Sequence, residues 1–284
     1  MAELLDPRTI RELAARIGLR PTKQRGQNFV TDPNTVRRIV AKSGITADDV
    51  VLEVGPGLGS LTLGLLETGA QVTAVEIEGA LAALLPQTVA RFQPGNAERL
   101  RVVHTDALNV TELPGPAPTA VVANLPYNVA VPVLLHLLAT FDDWNLGLVM
   151  VQLEVADRLA AGPGSKVYGV PSAKVAWYAR AERVGTVPPT VFWPAPNVDS
   201  GLVRLTRREP PSTTASRQQV FAVIDAAFGQ RRKMLRSALS GLFGSSAAAS
   251  EAISAAGLDP TARGEVLEIG DFARIAEQLT RVTT

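Results

Sequence analysis

The sequence predicts an α/β fold with a mostly parallel sheet, followed by a small all-α domain. Between Val50 and about Met150, short β-branched runs alternate with helical segments, which is the pattern of a doubly wound sheet. These runs are continuously apolar, as expected for strands that are buried on both faces. A Pro-, Ser- and Thr-rich stretch at 208–216 precedes apolar residues at helical spacing. We therefore expect one domain over residues 1–208 and a second over 209–284.

The elements follow in a regular order along the chain. The N-terminus reads as a short amphipathic helix, and AGPGSKVYGVPS (161–172) reads as a loop before a further helix. Strands are predicted at 50–54, 71–77, 101–104, 119–125, 146–152 and 201–207. Helices are predicted over 58–67, from the second strand through Val89, near 131–139, and from Val220 through Phe228 onward.

Composition excludes several classes of site. The chain has no cysteine, which removes disulfides, thiolate metal ligands and cysteine nucleophiles, and suits a reducing compartment. With only two histidines, His104 and His136, we expect no catalytic metal. No apolar run approaches the ~20 residues of a membrane span, so we expect a cytoplasmic protein without a membrane partner. The net charge of +1 gives no evidence for a nucleic-acid partner.

Three features at predicted strand ends indicate a ligand that contains an adenosyl group. Gly55, Gly57 and Gly59 follow the first strand of the sheet and allow the backbone to turn tightly beside a ligand. Glu76 ends the next strand, where a carboxylate can accept hydrogen bonds from both ribose hydroxyls. This pattern fits NAD and S-adenosylmethionine equally well. Asp106 follows the third strand, where it either binds the adenine amine or caps a helix.

The tetrapeptide NLPY (124–127) follows the fourth strand and indicates chemistry on the exocyclic amine of adenine. This nitrogen is a poor nucleophile, because its lone pair is delocalised into the ring. The side-chain oxygen of Asn124 and the carbonyl of Leu125 or Pro126 could accept both amine hydrogens. Tyr127 could stack on a base turned out of its helix. The alternative is a turn that merely ends a strand.

Longer motifs around these positions carry a family resemblance. They are GQNFVTD (26–32), EVADRLAAGPGSKVYG (154–169), FWPAPNVDSGLVRL (192–205) and FGQRRKMLRSAL (228–239). With NLPY, they resemble the ribosomal RNA adenine dimethyltransferases, and within that family the bacterial small-subunit (16S) group linked to kasugamycin sensitivity. The resemblance implies a Rossmann-like class I methyltransferase sheet and S-adenosylmethionine as cofactor. It also implies N6,N6-dimethylation of two neighbouring adenosines in the 3′-terminal hairpin of 16S rRNA, within the small ribosomal subunit.

The resemblance also implies that the cofactor is bound by Asn28, Val30, Gly55, Glu76, Asp106 and Asn124. The glycine pattern adds Gly57 to this set. Two positions depart from the family pattern. Leu153 stands where a lysine often precedes the EVADRL-like block, which puts a phosphate contact in doubt. Trp193 stands where a smaller or polar residue is expected, and either core packing or base stacking would explain it.

A basic cluster lies in the predicted C-terminal domain and consists of Arg231, Arg232, Lys233 and Arg236. We expect it to lie on one helix, where Arg232 and Arg236 share a face and could contact RNA phosphates. The alternative is an ordinary solvated face.

Two other functions stay open at this point. The large-subunit methyltransferases of macrolide resistance share the GQNF-like and NLPY-like motifs, although the 154–169 and 228–239 blocks favour the small-subunit group. A ribosome assembly factor that acts mainly by binding is the second alternative. Whichever of these functions the protein has, we expect it to be a monomer.

Overall fold

The computed structural model describes residues 3–21 and 27–281. Among these residues, the strands are β1 (Phe29–Val30), β2 (Val50–Val54), β3 (Gln71–Glu76), β4 (Leu100–His104), β5 (Ala120–Asn124), β6 (Leu146–Gln152), β7 (Ala179–Val187), β8 (Phe192–Trp193) and β9 (Ser200–Arg207). The α-helices are α1 (Pro7–Arg16), α2 (Pro33–Ser43), α3 (Ser60–Glu67), α4 (Gly79–Phe92), α5 (Ala130–Thr140), α6 (Leu153–Leu159), α7 (Val170–Tyr178), α8 (Arg217–Gly229), α9 (Leu235–Ala238), α10 (Ser240–Phe243), α11 (Ser246–Ala255) and α12 (Ile269–Arg281).

Seven of these strands form one sheet in the order β4-β3-β2-β5-β6-β9-β7. The strands from β4 to β6 pair in parallel, whereas β9 is antiparallel to β6. The strand order reverses direction at β2, which lies between β3 and β5. In open α/β sheets, ligands bind outside the carboxyl ends of the strands at such a switch point. This topology confirms the predicted fold class, including the helical C-terminal part.

Apolar burial explains the central strands. Every residue of β2 is buried, as are the five central residues of β6, because helices cover both faces of the sheet. The predicted bounds of these two strands are confirmed to the residue. Helix α2 begins after Asp32, whose carboxylate accepts a hydrogen bond from the Thr35 N–H at 2.9 Å and so satisfies a free helix donor.

A separate two-stranded ribbon lies beside the turn that contains Gly55, Gly57 and Gly59, which we call the glycine turn. β1 pairs antiparallel with β8, with Phe29 opposite Trp193 and Val30 opposite Phe192. The ribbon brings two segments together that are far apart in the chain, both of which carry family-like motifs. It therefore places the segment before α2 against the carboxyl edge of the sheet.

The structure differs from the sequence prediction at several elements. The prediction does not include β1, β8 or β7, of which β7 forms an edge of the seven-stranded sheet. The segment 228–239 is not one helix, because α8 ends at Gly229 and α9 begins at Leu235. Arg231, Arg232 and Lys233 therefore lie in the turn between the two helices, and only Arg236 is helical.

The residues group into two compact units. One comprises the chain up to residue 156 together with Glu182–Arg207, and the other comprises Asp157–Ala181 together with the chain from Arg208 onward. Residues 157–181, which the predicted domain boundary assigns to the first domain, thus group with the C-terminal helices. The functional division into 1–208 and 209–284 stays a prediction. No helix of the described residues combines the length and apolar character that a membrane-spanning segment needs.

The approach of β9 to α6 gives a test of this packing. A Cβ on Gly201 would overlap the Cβ of Ala156, which is buried and cannot move away by changing rotamer. We expect Gly201→Ala to lower the free energy of unfolding by about 1–3 kcal/mol. Gly185 in β7 is the matched control, because a Cβ there meets only ordinary contacts at 3.5 Å. Urea denaturation of the two variants measures the difference, and equal stabilities would contradict the packing.

Candidate active site

The turn after β2 requires glycine. Gly55 and Gly57 have positive φ angles of 69° and 58°, a region that residues with a Cβ rarely occupy. A Cβ on Gly57 would also lie 2.6 Å from the ring of Phe29. The β1 segment thus packs directly on the turn, and the absence of a side chain at Gly57 makes this close approach possible.

Glu76 ties this turn to the end of β3. The Gly57 N–H donates to Glu76 Oε2 at 3.1 Å, and the Glu78 N–H donates to Oε1 at 3.0 Å. Burial of the side chain, which is 5% exposed, raises its pKa, and these backbone donors oppose the shift. A carboxylate oxygen can accept more than one hydrogen bond, so both oxygens keep capacity for a ligand.

A cavity at the carboxyl ends of β2 and β3 brings most of the predicted cofactor residues together. Its lining includes Asn28, Val30, Gly55, Gly57, Glu76 and Asn124. A second cavity shares Gly55, Glu76 and Pro126 with the first and extends to Asp106 and Leu108. The two cavities together offer an extended site that reaches from Asn28 at one end to Asp106 at the other.

Asp106 both caps a helical turn and lines a cavity, which are the two positions that the sequence left open for it. Its Oδ1 accepts a hydrogen bond from the Leu108 N–H at 2.9 Å, which caps the 3-10 turn Ala107–Asn109. The residue also lines the second cavity. Oδ2 does not take part in the cap, so the cap leaves an acceptor for an adenine amine.

Glu53 belongs to the site, although the sequence analysis predicts no role for it. It is 1% exposed, lines the first cavity, and accepts a 2.7 Å hydrogen bond from the Thr62 hydroxyl. Burial raises its pKa to about 8, which the bond from Thr62 opposes and the nearby Glu76 reinforces. The signal in the sequence is the single acid in the otherwise apolar strand VVLEV.

The Asn124 side chain is oriented by the β1 segment. Its Nδ2 donates to the backbone carbonyl of Asn28 at 3.0 Å. A carbonyl only accepts hydrogen bonds, so the amide nitrogen must face Asn28, and the amide oxygen is left to accept from another group. The structure thus presents at Asn124 the acceptor that the NLPY motif predicts.

The next residues of the motif differ in what their carbonyls do. Leu125 is buried, and its N–H donates to the Met150 carbonyl at 3.1 Å. The Pro126 carbonyl accepts from the Val129 N–H at 3.1 Å and so takes part in the turn before α5. The Pro126 carbonyl therefore already accepts one hydrogen bond within the protein. This favours the Leu125 carbonyl as the second acceptor for the adenine amine.

Tyr127 is anchored through its hydroxyl. The Tyr127 Oη lies 2.6 Å from Oγ of Ser200, a fully buried residue at the start of β9. Burial raises the pKa of the tyrosine, so its hydroxyl stays neutral. Tyr127 and Asn28 line a further cavity with Gln152, Asn197 and other residues. Ser200 could not be identified from the sequence, because nothing local to NLPY points to β9.

The remaining motif residues have defined surroundings. Val30 is buried and lines the first cavity, whereas Gly26 of the GQNF motif lies outside the described residues. Trp193 is partly buried and stacks on Phe29 with ring centroids 6.3 Å apart. This supports the packing explanation for Trp193. The Leu153 N–H donates to the Asp199 carbonyl at 2.9 Å, and the effect of Leu153 on phosphate binding stays a prediction.

The basic cluster divides into two kinds of residue. Arg231 donates from Nε to Glu265 Oε2 at 3.0 Å and from its terminal nitrogen to the Lys166 carbonyl at 2.8 Å. It therefore ties segments of the C-terminal unit together. Arg232 and Lys233 are exposed in the turn, and Arg236 is partly buried. The predicted shared helical face of Arg232 and Arg236 is wrong, because the helix is interrupted between them.

The chain is similar to known proteins over nearly its whole length. The family described as ribosomal RNA adenine dimethylase matches residues 19–281. This chain belongs to the ribosomal RNA adenine dimethylase family. It is 68% identical to the ribosomal RNA small subunit methyltransferase A of Cutibacterium acnes, over 98% of this chain and 95% of the relative. The protein of the same name from Streptomyces coelicolor is 66% identical, over 96% of both chains.

Solved structures agree with the fold. A dimethyladenosine transferase from Plasmodium falciparum superposes with a TM-score of 0.72 at 20% identity, over 90% of this chain and 98% of that one. The 23S rRNA methyltransferase ErmE superposes with a TM-score of 0.64 at 26% identity, over 89% of this chain and all of the other. These similarities confirm the Rossmann-like class I methyltransferase sheet.

The residues of the site fit the S-adenosylmethionine that ribosomal RNA adenine dimethylases use. Glu76 presents a buried carboxylate at the strand end where a ribose would lie, and Gly57 has no room for a Cβ. None of the described residues that line the two cavities is a lysine, arginine or histidine, which suits a cationic cofactor. The individual binding roles of Asn28, Val30, Gly55, Gly57, Glu76, Asp106 and Asn124 remain proposals.

We expect cofactor binding to depend on the Glu76 carboxylate. Glu76→Ala removes charge-assisted hydrogen bonds worth roughly 1.5–3 kcal/mol each, so the affinity for S-adenosylmethionine should fall at least about 10-fold. Isothermal titration calorimetry measures this loss. Glu98→Ala, which removes an exposed carboxylate outside both cavities, should bind as the wild type does. Unchanged affinity of Glu76→Ala would contradict the assignment.

Proposed function

We propose that this enzyme dimethylates N6 of two adjacent adenosines in the 3′-terminal hairpin of 16S rRNA, within the small ribosomal subunit and during its biogenesis. The observation that carries the proposal is the orientation of Asn124, whose amide oxygen is left as an acceptor beside the Glu76 cavity, while Asn28, which orients it, lines both that cavity and the Tyr127 cavity. The names of relatives that are 61–68% identical over nearly the whole chain support the small subunit as substrate.

The residues of the NLPY motif would prepare the adenine amine for transfer. When bound, S-adenosylmethionine supplies an electrophilic methyl group on a sulfonium sulfur. The Asn124 amide oxygen and the Leu125 carbonyl would accept the two N6 hydrogens, which favours a more tetrahedral nitrogen with an available lone pair. Both acceptors are set before the substrate arrives, because Asn28 orients the first and the proline-containing turn orients the second.

Tyr127 would hold the base in the neighbouring cavity. The hydrogen bond with Ser200 holds the phenol ring in place, so it can act as a rigid stacking surface. An adenine must leave its helix to reach this cavity, and stacking offsets part of the cost of extrusion. The same base could receive its second methyl group at the same site once N6 has lost a proton and S-adenosylhomocysteine has been exchanged for a second S-adenosylmethionine.

The small-subunit assignment is favoured over a large-subunit one. The 23S rRNA methyltransferase ErmE shares the fold at 26% identity, whereas relatives named as small-subunit enzymes reach 68%. We propose further that the enzyme acts in the cytoplasm, where ribosomal subunits are assembled. Its monomeric state stays a prediction.

Methyl transfer from labelled S-adenosylmethionine to unmethylated small subunits tests the proposal. Mapping of the product should place the label on two adjacent adenosines near the 3′ end of 16S rRNA. Large subunits and protein-free 16S RNA are the controls. Efficient labelling of large subunits instead would favour the macrolide-resistance activity, and binding without any labelling would favour an assembly factor.

We expect Asn124→Ala to lose most of its single-turnover rate. Loss of one preset acceptor at a reacting group costs on the order of 10²–10³-fold in rate. Affinity for S-adenosylmethionine should fall only moderately, because Glu76 and the glycine turn remain. Rapid-quench measurements on small subunits give the rate, with Asn34→Ala as an exposed amide control. A mutant rate close to wild type would remove Asn124 from the mechanism.

We also propose that the basic turn binds RNA phosphates. The exposed residues Arg232 and Lys233 are the better test, since Arg231 is engaged within the C-terminal unit and Arg236 is partly buried. The double change Arg232→Ala and Lys233→Ala should weaken subunit binding. It should also reduce the slope of log K against log salt concentration by about 0.7–0.9 for each phosphate that is no longer neutralised. A double change of Arg8 and Arg11 to alanine, on α1, controls for net charge. An unaltered salt slope would make the turn an ordinary solvated surface.

A further inference from the structure

The cavity beside Tyr127 has a lining that is rich in side-chain amides. Apart from Tyr127, four residues with an amide and two apolar residues line it, namely Asn28, Asn128, Gln152, Asn197, Pro196 and Val198. None of these residues is charged. Side-chain amides are groups that pair with the edge of an adenine, and a lining without charges suits a neutral base. The cavity can therefore hold a base by hydrogen bonds as well as by stacking.

The position of Gln152 places it next to the anchor of Tyr127. Gln152 is the last residue of β6 and lies directly opposite Ser200 in the antiparallel pairing with β9. Residues directly opposite one another extend their side chains on the same face of the sheet, with Cβ atoms about 4.5–5.5 Å apart. The Ser200 hydroxyl is the group that bonds the Tyr127 hydroxyl at 2.6 Å. The sheet register thus holds Gln152 on the face where Tyr127 is fixed.

The amide of Gln152 is not committed within the protein. Its side chain is partly buried, and it makes no hydrogen bond with any described residue. Asn28 and Asn197 already interact with other residues, and Asn128 is exposed. Gln152 is therefore the amide of this lining that combines partial burial with a free hydrogen-bonding capacity. A group of this kind is paired either by water or by a ligand that enters the cavity.

The chemistry of adenine decides which end of the amide would be used. In the proposed reaction, Asn124 and Leu125 accept both hydrogens of the N6 amine. The remaining polar atoms of the base are the ring nitrogens N1, N3 and N7, which only accept hydrogen bonds. Of the two ends of the Gln152 amide, Nε2 donates and Oε1 accepts. Nε2 is therefore the atom that complements the base.

We propose that Gln152 Nε2 donates a hydrogen bond to a ring nitrogen of the extruded adenine and so acts as a specificity residue for the base. This rests on the proposed function, because it takes the Tyr127 cavity as the place of the target base. Each methyl transfer removes one hydrogen from N6, whereas the ring nitrogens keep their lone pairs. The contact from Gln152 is consequently available in both transfers, while the contacts to the amine become fewer.

Small subunits that carry a synthetic 3′ segment of 16S RNA test the proposal. The segment contains adenosine, 1-deazaadenosine, 3-deazaadenosine or 7-deazaadenosine at both target positions. Each analogue replaces one ring nitrogen by C–H and keeps the N6 amine. Gln152→Met keeps an unbranched side chain and removes the donor. Gln71→Met is the matched control, since Gln71 is a partly buried glutamine at the start of β3 that lines none of the three cavities.

We expect Gln152→Met to slow the first and the second transfer to ordinary adenosine by a similar factor of roughly 3- to 10-fold. The affinity for S-adenosylmethionine should stay unchanged, and Gln71→Met should methylate as the wild type does. One of the three analogues should slow the wild-type enzyme more than it slows Gln152→Met, again by roughly 3- to 10-fold. The comparison between the two enzymes cancels the altered reactivity of N6 in each analogue. The analogue that shows the difference identifies the ring nitrogen.

Two results would overturn the proposal. If each of the three analogues slows wild type and Gln152→Met by equal factors, Gln152 contacts no ring nitrogen. If Gln152→Met slows only the first transfer, the amide oxygen accepts from the amine instead. Gln152→Glu gives a second test should Gln152→Met fold poorly, because it removes the donor with little change in shape and should likewise lose the effect of that one analogue. A wild-type enzyme that does not methylate subunits with ordinary adenosine would instead contradict the proposed function itself.

Discussion

The hydrogen bonds to the Glu76 carboxylate hold the carboxyl edge of the sheet in its working shape. One bond reaches Gly57 in the turn after β2 and the other reaches Glu78 after β3, so a single buried group joins two neighbouring strand ends. Phe29 packs on Gly57, and the adjacent Asn28 orients the amide of Asn124. A continuous series of contacts thus connects Glu76, which we propose to bind the ribose, to Asn124, which we propose to accept from the reacting amine.

The parts of the fold that the sequence predicts are those governed by local pattern. β2 and β6 are continuous apolar runs, and their burial on both faces leaves no other placement. β7 escapes prediction because ARAERVGTV mixes charged, small and apolar residues on an edge strand, where only one side needs a partner. The helix expected through 228–239 ends at Gly229, and Arg231 in the turn that follows binds Glu265 and the Lys166 carbonyl. A long-range ion pair of this kind has no local signal.

The site likewise contains residues that local pattern predicts and residues that depend on distant parts of the chain. The glycines, Glu76, Asp106 and NLPY follow strand ends, so the parallel topology brings them to one edge. Ser200, Thr62 and the orienting role of Asn28 depend on side-chain partners from other elements, which only the folded chain reveals. The electrostatic character of the cavity likewise depends on which charges the fold gathers there. The carboxyl groups that line the two cavities would repel an RNA backbone, and they suit a cationic cofactor and a neutral base.

The late place of β9 in the chain affects how the protein folds while it is being synthesised. The strands β2 to β6 all leave the ribosome before β9, so their pairings join segments that are already made when β6 emerges. Ser200 is translated 73 residues after Tyr127, so the phenol hydroxyl has no anchor until most of the chain has been translated. A nascent chain that ends before β9 would have the glycine turn and Glu76 but would expose β6 as an open edge. The hydrogen bonds of Glu76 can therefore form well before the hydrogen bond between Tyr127 and Ser200.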